Sequence, residues 1–131
     1  MTVLFRPSPH CAVILALCKR GRITGYISHT VIRETKKNIA STDQDVKNRL
    51  NVYLLQHKLI VTPEPPALAV VALGTRMLEK DAPILAAAMH SPAQYLVTLD
   101  YRDFLRPETR DLASSLTILS PGDFVRDFVS A

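Results

Sequence analysis

"KDAPILAAAMHSPAQYLVTLDYRDFL", residues 80–105, gives the clearest indication of the fold of this chain, because it combines a helix with the strand that follows it. The Asp-Ala-Pro sequence at 81–83 is typical of a helix start, and the predicted helix runs to Met89. The aromatic and β-branched residues within 95–99 predict a short strand. Asp100 follows directly; a turn would explain this residue taken alone, since aspartate is common in turns.

Strands and helices alternate over the rest of the chain. Short strands are predicted at 23–27, 59–62, 95–99 and 116–119. Helices are predicted from Pro9 to Lys19, from Ser28 or Thr30 to Ile39, from Asp43 or Asp45 to Leu54, at 68–73, at 81–89 and at 121–128. This order predicts parallel β-α units with right-handed crossovers and helices on both faces of a sheet. Ligands of such sheets bind at the carboxyl ends of the strands.

The composition predicts one cytoplasmic globular domain over residues 1–131, with 47% hydrophobic and 21% charged residues. The longest apolar run, 11–18, is much shorter than a membrane span, and basic residues follow it, unlike in a signal peptide. The formal charge of +4 is compatible with a nucleic-acid partner. The basic residues are spread in twos and threes, however, and each group is equally compatible with a solvated face. Scattered histidines and two cysteines give no zinc pattern.

Three acids fall at the predicted carboxyl edge of the sheet. Glu34 lies in the helix after the strand at 23–27, Asp81 at a helix start and Asp100 at a strand end. Each has a structural explanation of its own, as a helix-dipole partner, an N-cap and a turn residue respectively. Together, however, three carboxylates at one edge would repel one another unless a cation lay between them. Carboxylate oxygens favour Mg²⁺ or Mn²⁺ as that cation.

Residues 80–105 resemble the C-terminal signature of the PIN-domain nucleases, a family of metal-dependent ribonucleases that includes many toxins of toxin–antitoxin pairs. "GRITGYISHTVIRE" (21–34) resembles their second strand and the next helix, and "LTILSPGDFV" (116–125) is similar to their last strand and helix. The resemblance covers nearly the whole chain. It implies a three-layer α/β/α fold with a mostly parallel sheet, and an endoribonuclease (a phosphodiester hydrolase) that acts on single-stranded RNA.

The resemblance also implies a role for particular residues. The metal-site acids would be Glu34, Asp81 and Asp100, with Asp103 as an auxiliary ligand of Mg²⁺ or Mn²⁺. The residues near RNA would be Ser28, Thr98, Lys36, Lys37, Arg102 and Arg106. An antitoxin protein and a second copy of the chain, forming a homodimer, are the implied partners, and no membrane partner is expected.

The beginning of the sequence departs from the family pattern. "MTVLFRPSPH" (1–10) resembles only the segment after the family's first metal-binding aspartate, and Thr2 stands where an asparagine is usual. The first acid and most of the central strand are thus missing, which predicts weak metal binding and an initiation codon assigned too late. A second interpretation is a catalytically inactive PIN-like module that binds RNA or a partner. A third, a phosphoacceptor receiver domain, needs acids after its first strand, and residues 1–10 contain none.

Overall fold

The structure, a computed structural model, describes residues 9–38, 44–98, 104, 106–113 and 115–130. Its strands are β1 (Tyr26–Ser28), β2 (Ile60–Thr62), β3 (Tyr95–Val97) and β4 (Thr117–Leu119). Its helices are α1 (Pro9–Lys19), α2 (His29–Asn38), α3 (Gln44–Gln56), α4 (Ala67–Gly74), α5 (Ala82–Met89), α6 (Pro107–Leu112) and α7 (Pro121–Ser130). The predicted α/β class with parallel strands is confirmed.

The chain divides into two compact units, residues 1–62 and residues 63–131. In the first unit, β1 and β2 are parallel, with Tyr26 opposite Ile60 and Ser28 opposite Thr62. The ladder is extended at its start, where the Ile60 amide donates to the Gly25 carbonyl at 2.9 Å. The single domain predicted over residues 1–131 stays a prediction.

Ser28 joins β1 to α2. It is the last residue of the strand, and its Oγ accepts a hydrogen bond from the Val31 amide at 3.1 Å. This bond satisfies one of the amides that have no partner inside a helix, so Ser28, rather than Thr30, is the N-cap. Behind this junction, the side chains of Ile27, Val31 and Ile32 are buried.

The second unit has its core between α5 and the parallel pair β3–β4, in which Tyr95 lies opposite Thr117. The buried cluster consists of Leu85, Leu96, Phe104, Ala113, Leu116 and Ile118. After β4, Ser120 Oγ accepts a hydrogen bond from the Asp123 amide at 3.1 Å, which caps the start of α7. Leu96 and Ile118 share the middle of the ladder, so both three-residue strands of this unit contribute to its core.

Two sequence predictions differ from the structure. The first strand lies at Tyr26–Ser28 instead of 23–27, because the turn at Gly21 (φ +72°) continues as a bend through Ile23, ahead of the strand. The helix α6 was not predicted, although Pro107 at its first turn is a recognised start signal. The helix α1 buries Leu15 and Cys18 and leaves Val13 43% exposed.

Some predicted features lie outside the described residues. These are the acids Asp100 and Asp103, the basic residue Arg102, and residues 1–8, where the sequence departs from the family pattern. Among the described residues, no helix is long and apolar enough to cross a membrane.

Candidate functional site

Asp81 is the described acid whose surroundings differ most from those of a surface carboxylate. It is only 6% exposed, and it occupies the N-cap position of α5. Its side chain makes no capping hydrogen bond, with the residue in a right-handed helical conformation at φ −96° and ψ −16°. Asp81 therefore occupies the N-cap position, but its carboxylate does not make the capping hydrogen bond that the sequence suggested.

The backbone of Asp81 is fixed from both sides. Its amide donates to the Leu78 carbonyl at 3.0 Å, and its own carbonyl accepts from the amides of Ile84 and Leu85 at 3.1 and 3.2 Å. The following residues Ala82 and Leu85 are fully buried. The carboxylate thus starts from a rigid point of the second unit, which limits the positions that its oxygens can reach.

One oxygen of this carboxylate is fully enclosed. Asp81 Oδ2 is buried and accepts no hydrogen bond from the described residues, while the residue as a whole does have other interactions. Burying an ionised oxygen costs several kcal/mol unless a cation or a hydrogen-bond donor compensates it. The position is accordingly one at which a bound cation would be stabilised.

A small cavity of about 40 Å³ opens beside Asp81. The connection between α4 and α5 contributes one wall, and the start of α6 contributes the other. The lining residues are Arg76, Met77, Leu78, Asp81, Arg106, Glu108 and Thr109. The cavity therefore combines a buried carboxylate with two guanidinium groups, the latter on separate elements.

The charged groups of the cavity differ in their exposure. The Arg106 Nε lies 3.6 Å from Glu108 Oε2, and these side chains are 57% and 70% exposed. An ion pair this long and this exposed contributes little stability, because water screens it. Arg76 is also exposed, and within the described part of the chain no ion pair involves its guanidinium. The carboxylate lies deep in the cavity, with cations at its edge.

The remaining predicted site residues divide between the two units. Thr98 directly follows β3, where its amide donates to the Leu119 carbonyl at 3.0 Å, so it lies at the carboxyl end of that strand. Glu34, Lys36 and Lys37 belong to α2, but their side chains, like Asp100, Arg102 and Asp103, lie outside the described part of the structure. Ser28 caps α2. The structure brings Asp81 and Arg106 to one cavity.

Five of the seven residues that line the cavity were not found from the sequence, and Arg76 and Thr109 are two of them. Arg76 lies in the polar break after Gly74 and Thr75, between two apolar helices, and that break is its only sequence signal. Thr109 is buried within α6, at a position that shows no pattern. Neither residue belongs to a recognisable motif, so their role follows from the fold alone.

The lining of this cavity has both signs of charge. Asp81 contributes carboxylate oxygens, which favour Mg²⁺ or Mn²⁺ over softer metals, and Arg76 and Arg106 contribute positive charge. Among the side chains that the structure describes, no three His, Cys, Asp or Glu groups come together as a metal site. The described part thus provides one acid of the predicted set, and that acid is compatible with the predicted metal.

Comparison with known proteins gives one match. A sequence model of the PIN domain matches residues 1–102, which is more than three quarters of the chain. The matched part contains Glu34, Asp81 and Asp100, and it ends before Asp103 and Arg106. Neither the curated proteins nor the solved structures include a significant match to this chain.

Proposed function

Since this chain belongs to the PIN-domain family, whose members are generally nucleases, we propose that it is a metal-dependent endoribonuclease acting on single-stranded RNA. The observation that carries the proposal is the buried carboxylate of Asp81, which does not cap its helix and which borders a cavity with two arginines. A buried carboxylate at the edge of a cavity is a group that a bound cation would stabilise, which supports a metal site at this position.

Asp81 holds the metal in this proposal, together with Glu34 and Asp100 and with Asp103 as an auxiliary ligand. When bound, Mg²⁺ or Mn²⁺ would activate water and stabilise the charge that develops on the phosphate during phosphodiester hydrolysis. The protein's contribution is to fix the carboxylate, and the hydrogen bonds of the Asp81 backbone support that role.

The proposal also assigns residues to RNA contact. We assign phosphate contacts to Lys36, Lys37, Arg102 and Arg106, and polar contacts at the edge of the site to Ser28 and Thr98. Arg106 is supported by its place in the cavity, and Thr98 by its place at the end of β3. Such contacts supply affinity that is independent of base sequence and sensitive to salt.

The direct test is Asp81→Asn, which keeps the shape of the side chain and removes its charge. We expect cleavage of a labelled single-stranded RNA in Mn²⁺ to fall by roughly two orders of magnitude or more, since loss of several kcal/mol of metal-derived stabilisation corresponds to that factor. Asp127→Asn is the matched control, because Asp127 is an exposed acid of α7 in the same unit. Equal rates for both variants would refute the role of Asp81.

Metal binding gives a readout that does not depend on activity. We expect weak Mn²⁺ binding by calorimetry, since affinity rises with the number of carboxylate ligands and residues 1–10 contain none. Asp81→Asn should weaken binding further, whereas Asp127→Asn should not. Tight binding by the wild-type chain would show that another acid replaces the family's first aspartate.

Two further experimental outcomes would distinguish between possible roles of the chain. RNA binding without any metal-dependent cleavage would identify the chain as a binding module of the same family. Growth arrest on induced expression in a bacterial host, lost in Asp81→Asn, would support a toxin role and justify a search for an antitoxin partner. Arrest by both proteins alike would argue against RNA cleavage as its cause.

A further inference from the structure

We propose that Arg76 and Arg106 form a phosphate clamp at the edge of the Asp81 cavity and hold the sugar-phosphate backbone of the RNA there. Arg76 is the new element, because no sequence pattern or family motif assigned it a role. The proposal rests on the proposed function, which supplies the RNA. It adds the part of the substrate that this cavity recognises.

The two guanidinium groups reach the cavity from different elements. Arg76 comes from the connection between α4 and α5, and Arg106 precedes the first residue of α6. Two cations that line one cavity can contact two oxygens of one phosphate, and the planar guanidinium group is well matched to that contact.

Both arginines start from ordered backbone. The amides of Arg76 and Met77 donate to the Leu73 carbonyl at 3.0 and 3.1 Å, and Thr75 Oγ1 donates to the Ala72 carbonyl at 2.8 Å. These bonds fold the connection against the end of α4. On the other wall, the Arg110 amide donates to the Arg106 carbonyl at 3.1 Å. Little backbone entropy would then be lost when a phosphate binds.

The exposure of the charged groups favours a phosphate at the edge instead of in the interior. Asp81 is buried and would repel a phosphate that entered deeply, whereas the arginines are exposed. Glu108 is the competing anion, since it lies 3.6 Å from Arg106. A phosphate that both arginines contact should displace Glu108 from Arg106. The exposed ion pair contributes little stability, whereas a bidentate contact between arginine and phosphate is strong.

The charge at the edge of the cavity determines what the clamp recognises. Arg76 and Arg106 carry positive charges, which match the charged phosphate and not the neutral bases. The clamp therefore reads the backbone. Contacts of this kind position a strand without selecting its sequence.

The test is fluorescence anisotropy of the full chain with a labelled single-stranded RNA that carries 2′-O-methyl groups to prevent cleavage. We expect Arg76→Ala and Arg106→Ala each to weaken binding by roughly five- to tenfold at low salt and to reduce the slope of log K against log salt by about 0.7. Arg76→Lys should recover part of the affinity. Glu108→Gln should strengthen binding, since it removes the competing anion.

Arg110→Ala is the matched control. It removes the same charge from an exposed position of α6, and Arg110 does not line the cavity. Affinity and salt slope should stay close to those of the wild type. Equal losses in Arg76→Ala and Arg110→Ala would overturn the clamp, as would a wild-type chain that binds no RNA; folding of each variant is checked by circular dichroism.

The clamp and the nuclease can fail separately. If Asp81→Asn abolishes cleavage while Arg76→Ala binds RNA like Arg110→Ala, the nuclease stands and the clamp is wrong. If binding depends on Arg76 but no metal supports cleavage, the clamp stands and the nuclease is wrong. A set of oligonucleotides that differ in base sequence should bind alike; strong selectivity lost in Arg76→Ala would contradict backbone recognition.

Discussion

Gly25→Ala is the substitution whose effect the structure defines most sharply. An alanine Cβ at this position would lie 2.6 Å from Cys18 Sγ and 2.7 Å from Leu59 Cδ2. Ordinary contact distances between such atoms are about 3.5–4.0 Å, so the new methyl group overlaps two neighbours at once. Cys18 is buried, which restricts its movement away from the methyl group.

The expected cost follows from that overlap. Adding one methyl to a closely packed site costs about 1–3 kcal/mol, and the double overlap places Gly25→Ala at about 2 kcal/mol or slightly above. The Gly25 carbonyl also accepts the Ile60 amide at 2.9 Å, at the start of the β1–β2 ladder. Relief by a backbone shift would therefore weaken that hydrogen bond, and relief at the side chains would require Cys18 and Leu59 to move together.

Urea unfolding followed by far-ultraviolet circular dichroism measures this cost, because the chain has no tryptophan. Two other glycines provide controls. At Gly74 an added Cβ meets only Glu79 Cγ at 3.8 Å, within α4, so Gly74→Ala should be neutral or stabilise by up to about 1 kcal/mol. At Gly21 nothing lies within 4 Å, but φ is +72°, so Gly21→Ala should cost about 1–2 kcal/mol through backbone strain alone.

A double substitution tests the cause. Cys18→Ala removes the sulfur atom, so Cys18→Ala with Gly25→Ala should destabilise by less than the sum of the single changes, by roughly 0.5–1 kcal/mol. A free energy of unfolding for Gly25→Ala within about 0.5 kcal/mol of the wild type would refute the reasoning. Strict additivity in the double variant would show that the sulfur contact is not responsible.

The remaining predictions concern the core, the thiol and assembly. Leu85→Ala should lower the free energy of unfolding by about 2–5 kcal/mol, because Leu85 is fully buried. The control Leu68→Ala changes an 85% exposed position and should alter that free energy by less than about 0.5 kcal/mol. Similar losses in both variants would contradict the described core. Burial raises the pKa of the Cys18 thiol, so the neutral form is favoured in the folded chain and stability should fall as the pH rises past the thiol's usual range. In a Cys11→Ser background, Cys18→Ala should remove this alkaline slope, and equal slopes would show that Cys18 does not cause it. Light scattering across a dilution series should give a dimer mass, since Val13 and Leu68 remain exposed, and a monomer at micromolar concentration would refute the dimer.

The sequence predicted those parts of the fold that depend on local patterns. The start of α5 followed from the Asp-Ala-Pro sequence, and β3 followed from its aromatic and β-branched residues. The position of β1 was wrong by three residues at its start, because the turn at Gly21 continues as a bend through Ile23. The six-residue helix α6 was missed since so short a helix has little apolar periodicity.

The sequence also predicted only part of the candidate site. Asp81 was identified because a carboxylate at a helix start is visible in the sequence, although its burial and the missing cap bond are not. Arg76 could not be identified, since only the fold brings it to the same cavity as Arg106 and Thr109. Convergence of Asp81 with Glu34 and Asp100 stays a prediction, to be tested by metal binding of the single variants.

The parallel ladder β1–β2 has a consequence for the order of folding on the ribosome. Both of its strands, with α2 and α3 between them, precede Pro63, so this compact unit is complete in the nascent chain before Asp81 and β3 are synthesised. Domains form as units from the N-terminus at translation rates of about 5–20 residues per second. The first unit is therefore synthesised, and can begin to fold, before the residues that line the cavity.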